Sequence, residues 1–266
     1  MKQYLFELKS HRKSFFFWSL AILVFLTIIM LEFSAYRDNP ELLQLLEAIP
    51  QELLVAFNLS NVNLTTVSGF SAITLEYIHV ALAIYAILLG VIIVAKEARF
   101  KTADFLYVMP RSRTHILRIK YMAGVSLVGL MILITGLQFA LIASQYQPES
   151  SYWFYLLRSF LNMSILLWTF YSLGFCLACV IKGTKLANTI ASLSVFALYL
   201  LSIMINLVES LDWLKPVSLF SYVKFSELIT RDFMSIQSFV LCALIIALST
   251  LLGFITYPKK DLGLVR

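Results

Sequence analysis

Six apolar runs constrain this chain more than any motif does. They extend over about 15–33, 70–95, 115–144, 152–181, 186–208 and 236–257. Each comes close to or exceeds the ~20 residues that an α-helix needs to cross about 30 Å of hydrocarbon. Only 14% of the 266 residues are charged, 60% are hydrophobic, and the mean hydropathy is +0.85. Soluble domains carry about 25% charged residues, so too little polar sequence remains to cover a compact globule. In hydrocarbon every backbone polar group must be paired within the chain, which a helix does by itself. The expected fold class is an all-α membrane protein with six transmembrane helices in one domain, residues 1–266.

The polar residues fix an orientation. Six crossings put both termini on one side. That side carries sixteen of the 21 Lys and Arg residues, at the N-terminus, in the stretch Lys96–Lys120, at Lys182 and Lys185, and in the C-terminal tail. Arg37, Arg158, Lys215, Lys224 and Arg231 fall on the other. Cytoplasmic loops hold the Lys/Arg excess, so both termini and the basic stretch are expected in the cytoplasm. The same placement accounts for the net charge of +6. With no arginine-rich arm and no base-reading motif, a nucleic-acid partner is not expected.

Between the runs lie shorter elements. Residues 1–14, MKQYLFELKSHRKS, place Tyr4, Leu5 and Leu8 at helical spacing among basic residues, as an interfacial elbow helix against membrane lipid would. No small-residue cleavage site follows, so the first run reads as a retained helix rather than a signal peptide. Pro40 and Pro50 bracket ELLQLLEAI, an amphipathic piece on the opposite side. Residues 209–235 mix Trp213, Phe220, Tyr222 and Phe225 with scattered charges, which suits an external segment of interface-lying helices. Asn162, Ser164, Thr169, Asn188, Thr189 and Ser192 are candidates for bonding between helices. Cys176 and Cys179 form a CxxC inside LGFCLACVI, without a nearby His or second pair, and read as small apolar residues, as does Cys242. Glu76 and His79, three residues apart and so on one helix face, lie near the outer end of the second run. An ionisable pair there either caps the span at the interface or belongs to a substrate or proton path.

The stretch KEARFKTADFLYVMPRSRTHILRIK, Lys96–Lys120, is the densest basic interruption. Phe100, Ala103, Phe105 and Leu106 alternate with charges in the manner of a short amphipathic helix that continues from the second run. Pro110 lacks an N–H and stops that helix. Ser112 or Thr114 can cap the next. The expected shape is a helix–turn–helix elbow that can dock into a groove of a soluble partner.

The pattern Glu97, Thr102, Leu106, Met109-Pro110, Ser112-Arg113, Ile116 and Lys120 resembles the cytoplasmic loop of ABC-2-type transporter permeases, the transmembrane subunits of bacterial ABC exporters. Lys215–Tyr222, KPVSLFSY, resembles the Ser-Pro-Phe-x-Tyr element often found in that family. Lys101 stands where the family usually has Gly, and Leu219 where it often has Pro. The resemblance implies an ABC-2 (type V exporter-like) architecture in a multi-pass protein of the bacterial cell membrane. It also implies a coupling helix over 96–113, in which Glu97, Thr102, Asp104, Leu106, Met109, Pro110, Ser112 and Arg113 contact a separate nucleotide-binding ATPase subunit. A second permease subunit, identical or different, would complete the transporter. ATP and Mg would be bound by the partner, and no cofactor or metal by this chain, which has no G-x-x-x-x-G-K-[ST].

The expected cargo is hydrophobic or amphipathic, such as an antimicrobial peptide, drug or lipid-like compound, exported along a path that includes Glu76, His79, Phe170, Tyr171 and Tyr199. Two other readings compete: a sensor or immunity subunit that binds a toxic peptide without moving it, and an intramembrane enzyme. The second would need convergent chemistry, but His11, His79 and His115 fall on different segments.

Overall fold

The computed structural model describes residues 2–37, 39, 50–56, 58, 62–100, 112–230 and 233–259, and of residues 97–100 the helical backbone alone. Among the described residues seven α-helices follow in order: α1 Lys2–Tyr36, α2 Gln51–Ala56, α3 Val67–Phe100, α4 Arg113–Ser144, α5 Ser150–Val180, α6 Thr184–Leu207 and α7 Ile236–Thr256. All but α2 are long and apolar enough to cross a membrane. Their bounds contain or closely match the six runs expected from sequence. Among the described residues there is no strand.

Two helices form the centre. In their most apolar windows α3 is 67% and α5 61% buried, against 33% or less for the other four. The α3–α5 contact is the most extensive in the molecule, followed by α5–α7, α1–α4 and α3–α6. Glycines make the central crossing possible. A Cβ on Gly174 would lie 2.0 Å from the Ile87 carbonyl oxygen, and one on Gly90 would lie 2.3 Å from the Tyr171 carbonyl oxygen. Each glycine therefore lets the opposite helix's backbone rest against its own. Small residues do this where lipid removes the hydrophobic drive for association and leaves close packing as the main attraction.

Three sequence expectations are corrected. The elbow helix over 1–14 is not a separate element, because α1 runs unbroken through Ser14 to Tyr36. No Gly or Pro lies between Lys2 and Tyr36 to interrupt it. The described residues of 209–235 form no interface-lying α-helix. They make three short 3-10 turns, Glu209–Leu214, Leu219–Tyr222 and Glu227–Ile229, with Pro216 unable to donate a helical bond. From this segment Leu219, Phe220, Tyr222, Val223 and Phe225 are buried in the core.

The third correction concerns the polar residues of the spans. Ser164, Thr169 and Thr189 bond back to carbonyls three or four residues earlier in their own helices, the usual local alternative for a hydroxyl in a helix. Of the six candidates, Asn162 does bridge elements: its Oδ1 accepts the Met234 N–H at 2.8 Å. The helix-to-helix bonds come largely from residues not singled out, among them Tyr4–Ser126, Ser71–Tyr152 and Thr250–Tyr121. The amphipathic piece over 41–49 lies outside the described residues.

The glycine crossing gives a test. Gly174→Ala should destabilise the fold by about 1–3 kcal/mol, the usual cost of overpacking a tight site. Gly129→Ala, whose new Cβ would have no neighbour nearer than 4.0 Å, should be neutral or gain up to ~1 kcal/mol from helix propensity. Thermal melts of both variants in detergent check the predicted order.

Candidate functional site

The bundle has two ends of different chemistry. One gathers the N-terminus of α1, the C-terminus of α3, the N-terminus of α4 and the 3-10 turn Tyr257–Lys259 that follows α7. The other gathers the segment 209–235 and the helix ends beneath it.

At the terminal end, ionic contacts join three helices. Glu7 on α1 is buried; its Oε2 accepts from Lys96 Nζ at 3.3 Å, and its Oε1 lies 3.7 Å from Lys120 Nζ. Lys96 also donates to Ser10 Oγ at 2.8 Å and lies over the Phe6 ring at 4.8 Å from its centroid. Lys120, only 1% exposed, donates to the Ile93 carbonyl at 2.8 Å. A buried ammonium is tolerable only with such partners. Lys96 and Lys120 are the first and last residues of the basic stretch singled out in the sequence. The two ends of that stretch are thus pinned to one carboxylate on α1. The sequence reading passed over Glu7, yet one signal was present: it is the sole acidic residue before Glu32, among Lys2, Lys9, Arg12 and Lys13.

Of the residues expected to contact an ATPase subunit, Ser112 and Arg113 can be placed. Ser112 caps α4, its Oγ accepting the His115 N–H at 3.3 Å, so of the two proposed caps Ser112 is the one used. Arg113 donates to the Pro258 carbonyl at 3.2 Å, tying the start of α4 to the turn after α7. Thr102, Asp104, Leu106, Met109 and Pro110 lie outside the described residues, and so does the Glu97 side chain.

At the opposite end, segment 209–235 closes over α3, α5 and α6. Phe220 is the centre of this closure. Its ring meets His79 at 5.2 Å, Phe170 at 5.2 Å and Tyr199 at 5.6 Å between centroids. His79 is fully buried, with Phe225 edge-on to its other side at 5.5 Å, and neither ring nitrogen has a hydrogen-bond partner among the described residues. Glu76, one turn away, accepts the Phe225 N–H on Oε1 at 3.2 Å. The pair therefore does not cap an exposed span end; it holds the segment down. Glu76 and Tyr199 line one small cavity of about 20 Å³ together with Asn58, Ser202, Asn206, Phe220, Ser221 and Lys224.

Four of the five residues expected along a cargo path are thus gathered here. Tyr171 is not. It turns toward α4, where its hydroxyl donates to the Tyr121 carbonyl at 3.0 Å and fills the space left by Gly124. Phe220 was seen in sequence only as one of several interface aromatics, since nothing local marks it as the residue on which the others converge.

A family model for the ABC-2 family transporter protein matches residues 4–262. A search of curated proteins finds no match. The matched range takes in all six crossing helices, the basic stretch between α3 and α4, and the segment that closes over Glu76 and His79. The chain is a multi-pass membrane permease of the ABC transporters and belongs to the ABC-2 family.

Proposed function

We propose that this permease exports a hydrophobic or amphipathic compound, such as an antimicrobial peptide, drug or lipid-like molecule, using ATP hydrolysed by a separate nucleotide-binding subunit. The Lys/Arg excess on the terminal side puts that end in the bacterial cytoplasm, where ATP is. The segment 209–235 then closes the external end. A second permease subunit, identical or different, completes the path, because Glu76 and Tyr199 lie on α3 and on α6, which is mostly uncovered in the single chain.

The observation that carries the reading is the Glu7 clasp. The stretch between α3 and α4 is the coupling element that receives the partner's motion, and its two ends are held on α1 by Lys96 and Lys120. A displacement of the stretch cannot move α3 or α4 alone; it pulls on three helices at once. Arg113 extends the linkage to the end of α7 through Pro258. ATP-driven work is thereby delivered to the bundle as a unit, and the far end opens where Phe220 seals it.

Three variants check this mechanism. Glu7→Gln keeps the shape of the side chain and removes the charge that offsets a buried ammonium, so the fold should lose about 1–3 kcal/mol. Transport in vesicles holding the ATPase partner should fall about tenfold while the partner's basal hydrolysis continues, equivalent to ~1.4 kcal/mol of lost coupling. The double charge reversal Glu97→Arg with Arg113→Glu should leave the complex assembled, as read by co-purification, and uncouple hydrolysis from transport. Normal coupling in that variant would overturn the assignment of the stretch. Phe220→Ala should leave the transporter leaky to small solutes in the absence of ATP, measured as efflux from loaded vesicles.

A further inference from the structure

The cavity at Glu76 has a chemistry narrower than "amphipathic". It has room for about one water-sized group, at about 20 Å³. Its polar wall presents acceptors at Glu76, Asn58 and Ser221, beside the donor groups of Asn206, Lys224 and Tyr77. Glu76 spends one oxygen on the Phe225 N–H, and a carboxylate has capacity for several more bonds. Asn58 Oδ1 already takes the Asn206 side-chain N–H at 3.2 Å and retains a second lone pair. Ser221 Oγ is buried and has no hydrogen-bond partner among the described residues. The remaining wall is apolar or aromatic, with Ile73, Ile203, Phe220 and Tyr199.

The chain brings a primary ammonium of its own to this place. Lys224 lines the cavity together with Glu76, and its Nζ lies 4.0 Å from Glu227 Oε1. That ion pair is long, and both side chains are partly exposed, at 29% and 46%.

We infer that the Glu76 cavity is a receptor for a primary ammonium group on the transported compound, and that Lys224 is the tethered amine the compound displaces. This rests on the export reading above and names its substrate class: an amphiphile with a free amine, such as a long-chain amine or the terminal or lysyl amine of a peptide. An –NH3+ group offers three donors and no acceptor, matching Glu76, Ser221 and Asn58. Its alkyl stem would take the room left by the displaced Lys224 stem beside Ile73, Ile203 and Phe220, and Tyr199 and Phe220 supply ring faces favourable to a cation. A quaternary ammonium has no N–H to give and exceeds the space. An anion would meet the Glu76 carboxylate as well as Lys224. A metal cation would use the oxygens and gain nothing from the apolar wall.

Binding to the full-length chain in phosphatidylcholine nanodiscs tests this without the ATPase partner. The probe is hexylammonium, read by saturable thermal stabilisation, with hexyltrimethylammonium and sodium chloride as controls. Hexylammonium should bind at least tenfold more tightly than its trimethyl analogue. Lys224→Gln should tighten binding about tenfold, and Glu76→Gln should abolish it. Ser221→Ala, which disturbs no bond in the fold, should weaken binding several-fold and keeps the test open if Glu76→Gln fails to fold. Equal binding of the trimethyl analogue, an equal saturable response to sodium, or unchanged binding in Lys224→Gln and Ser221→Ala would overturn the assignment. Amine binding without amine-stimulated export would support the site and count against the export reading. Export of a neutral amphiphile by a chain that binds no amine would overturn the site alone.

Discussion

The backbone contact between α3 and α5 is the constraint on which the rest of this structure depends. Two helices that touch through Gly90 and Gly174 leave no room for side chains at the crossing. In a membrane, that closeness is the main source of attraction, since apolar residues gain little by leaving lipid for one another. Every other long helix then packs on one of these two: α7 and part of α4 on α5, α6 and part of α1 on α3. The large aromatics collect around the pair, with Phe170, Tyr171 and Phe175 all fully buried on α5.

Charge is arranged at the two ends of this core, and with opposite logic. At the terminal end Glu7 faces two ammonium groups, one of them buried, in contacts short enough to hold three helices together. Removing one member would leave a buried charge unmatched. At the far end Glu76 takes a backbone N–H from the segment it holds, and Lys224, which lines the same cavity, lies 4.0 Å from Glu227. The first arrangement suits a joint that transmits force, and the second a joint that opens and exchanges partners. His79, buried between two Phe rings without a bond for either nitrogen, adds to the second: a polar group so placed favours any conformation that gives it water.

Much of this was legible from residues in order. The six apolar runs announced the six crossing helices to within a few residues, except for α1, where the basic character of residues 2–13 suggested a boundary that helix continuity does not respect. Ser112 read as a cap and is one. Glu76 and His79 were marked as worth watching because an i, i+3 pair of ionisable residues is rare at membrane depth. What could not be read was who meets whom across the bundle. Asn162 bridges to Met234, 72 positions later, whereas Thr169 and Ser164 satisfy themselves on their own helix; both choices are open to a polar residue in an apolar run until its neighbours are known. Tyr171 sits beside Phe170 in sequence but lies on another face of α5, and so serves α4 instead of the Phe220 cluster.

The sequence by itself determined six helices long and apolar enough to cross a membrane, and gathered most of the positive charge at the end that carries the termini. Both are properties of length, composition and local order, because a helix in lipid satisfies its backbone alone. Only the tertiary structure decided that Lys96 and Lys120 share Glu7, that Phe220 closes on three residues from three helices, and that Glu76, Ser221 and Lys224 border one water-sized space. The paired contacts among these join positions from 21 residues apart, Tyr199 and Phe220, to 141 apart, His79 and Phe220. Only the close crossing of α3 and α5, and the packing built on it, brings such positions within bonding distance.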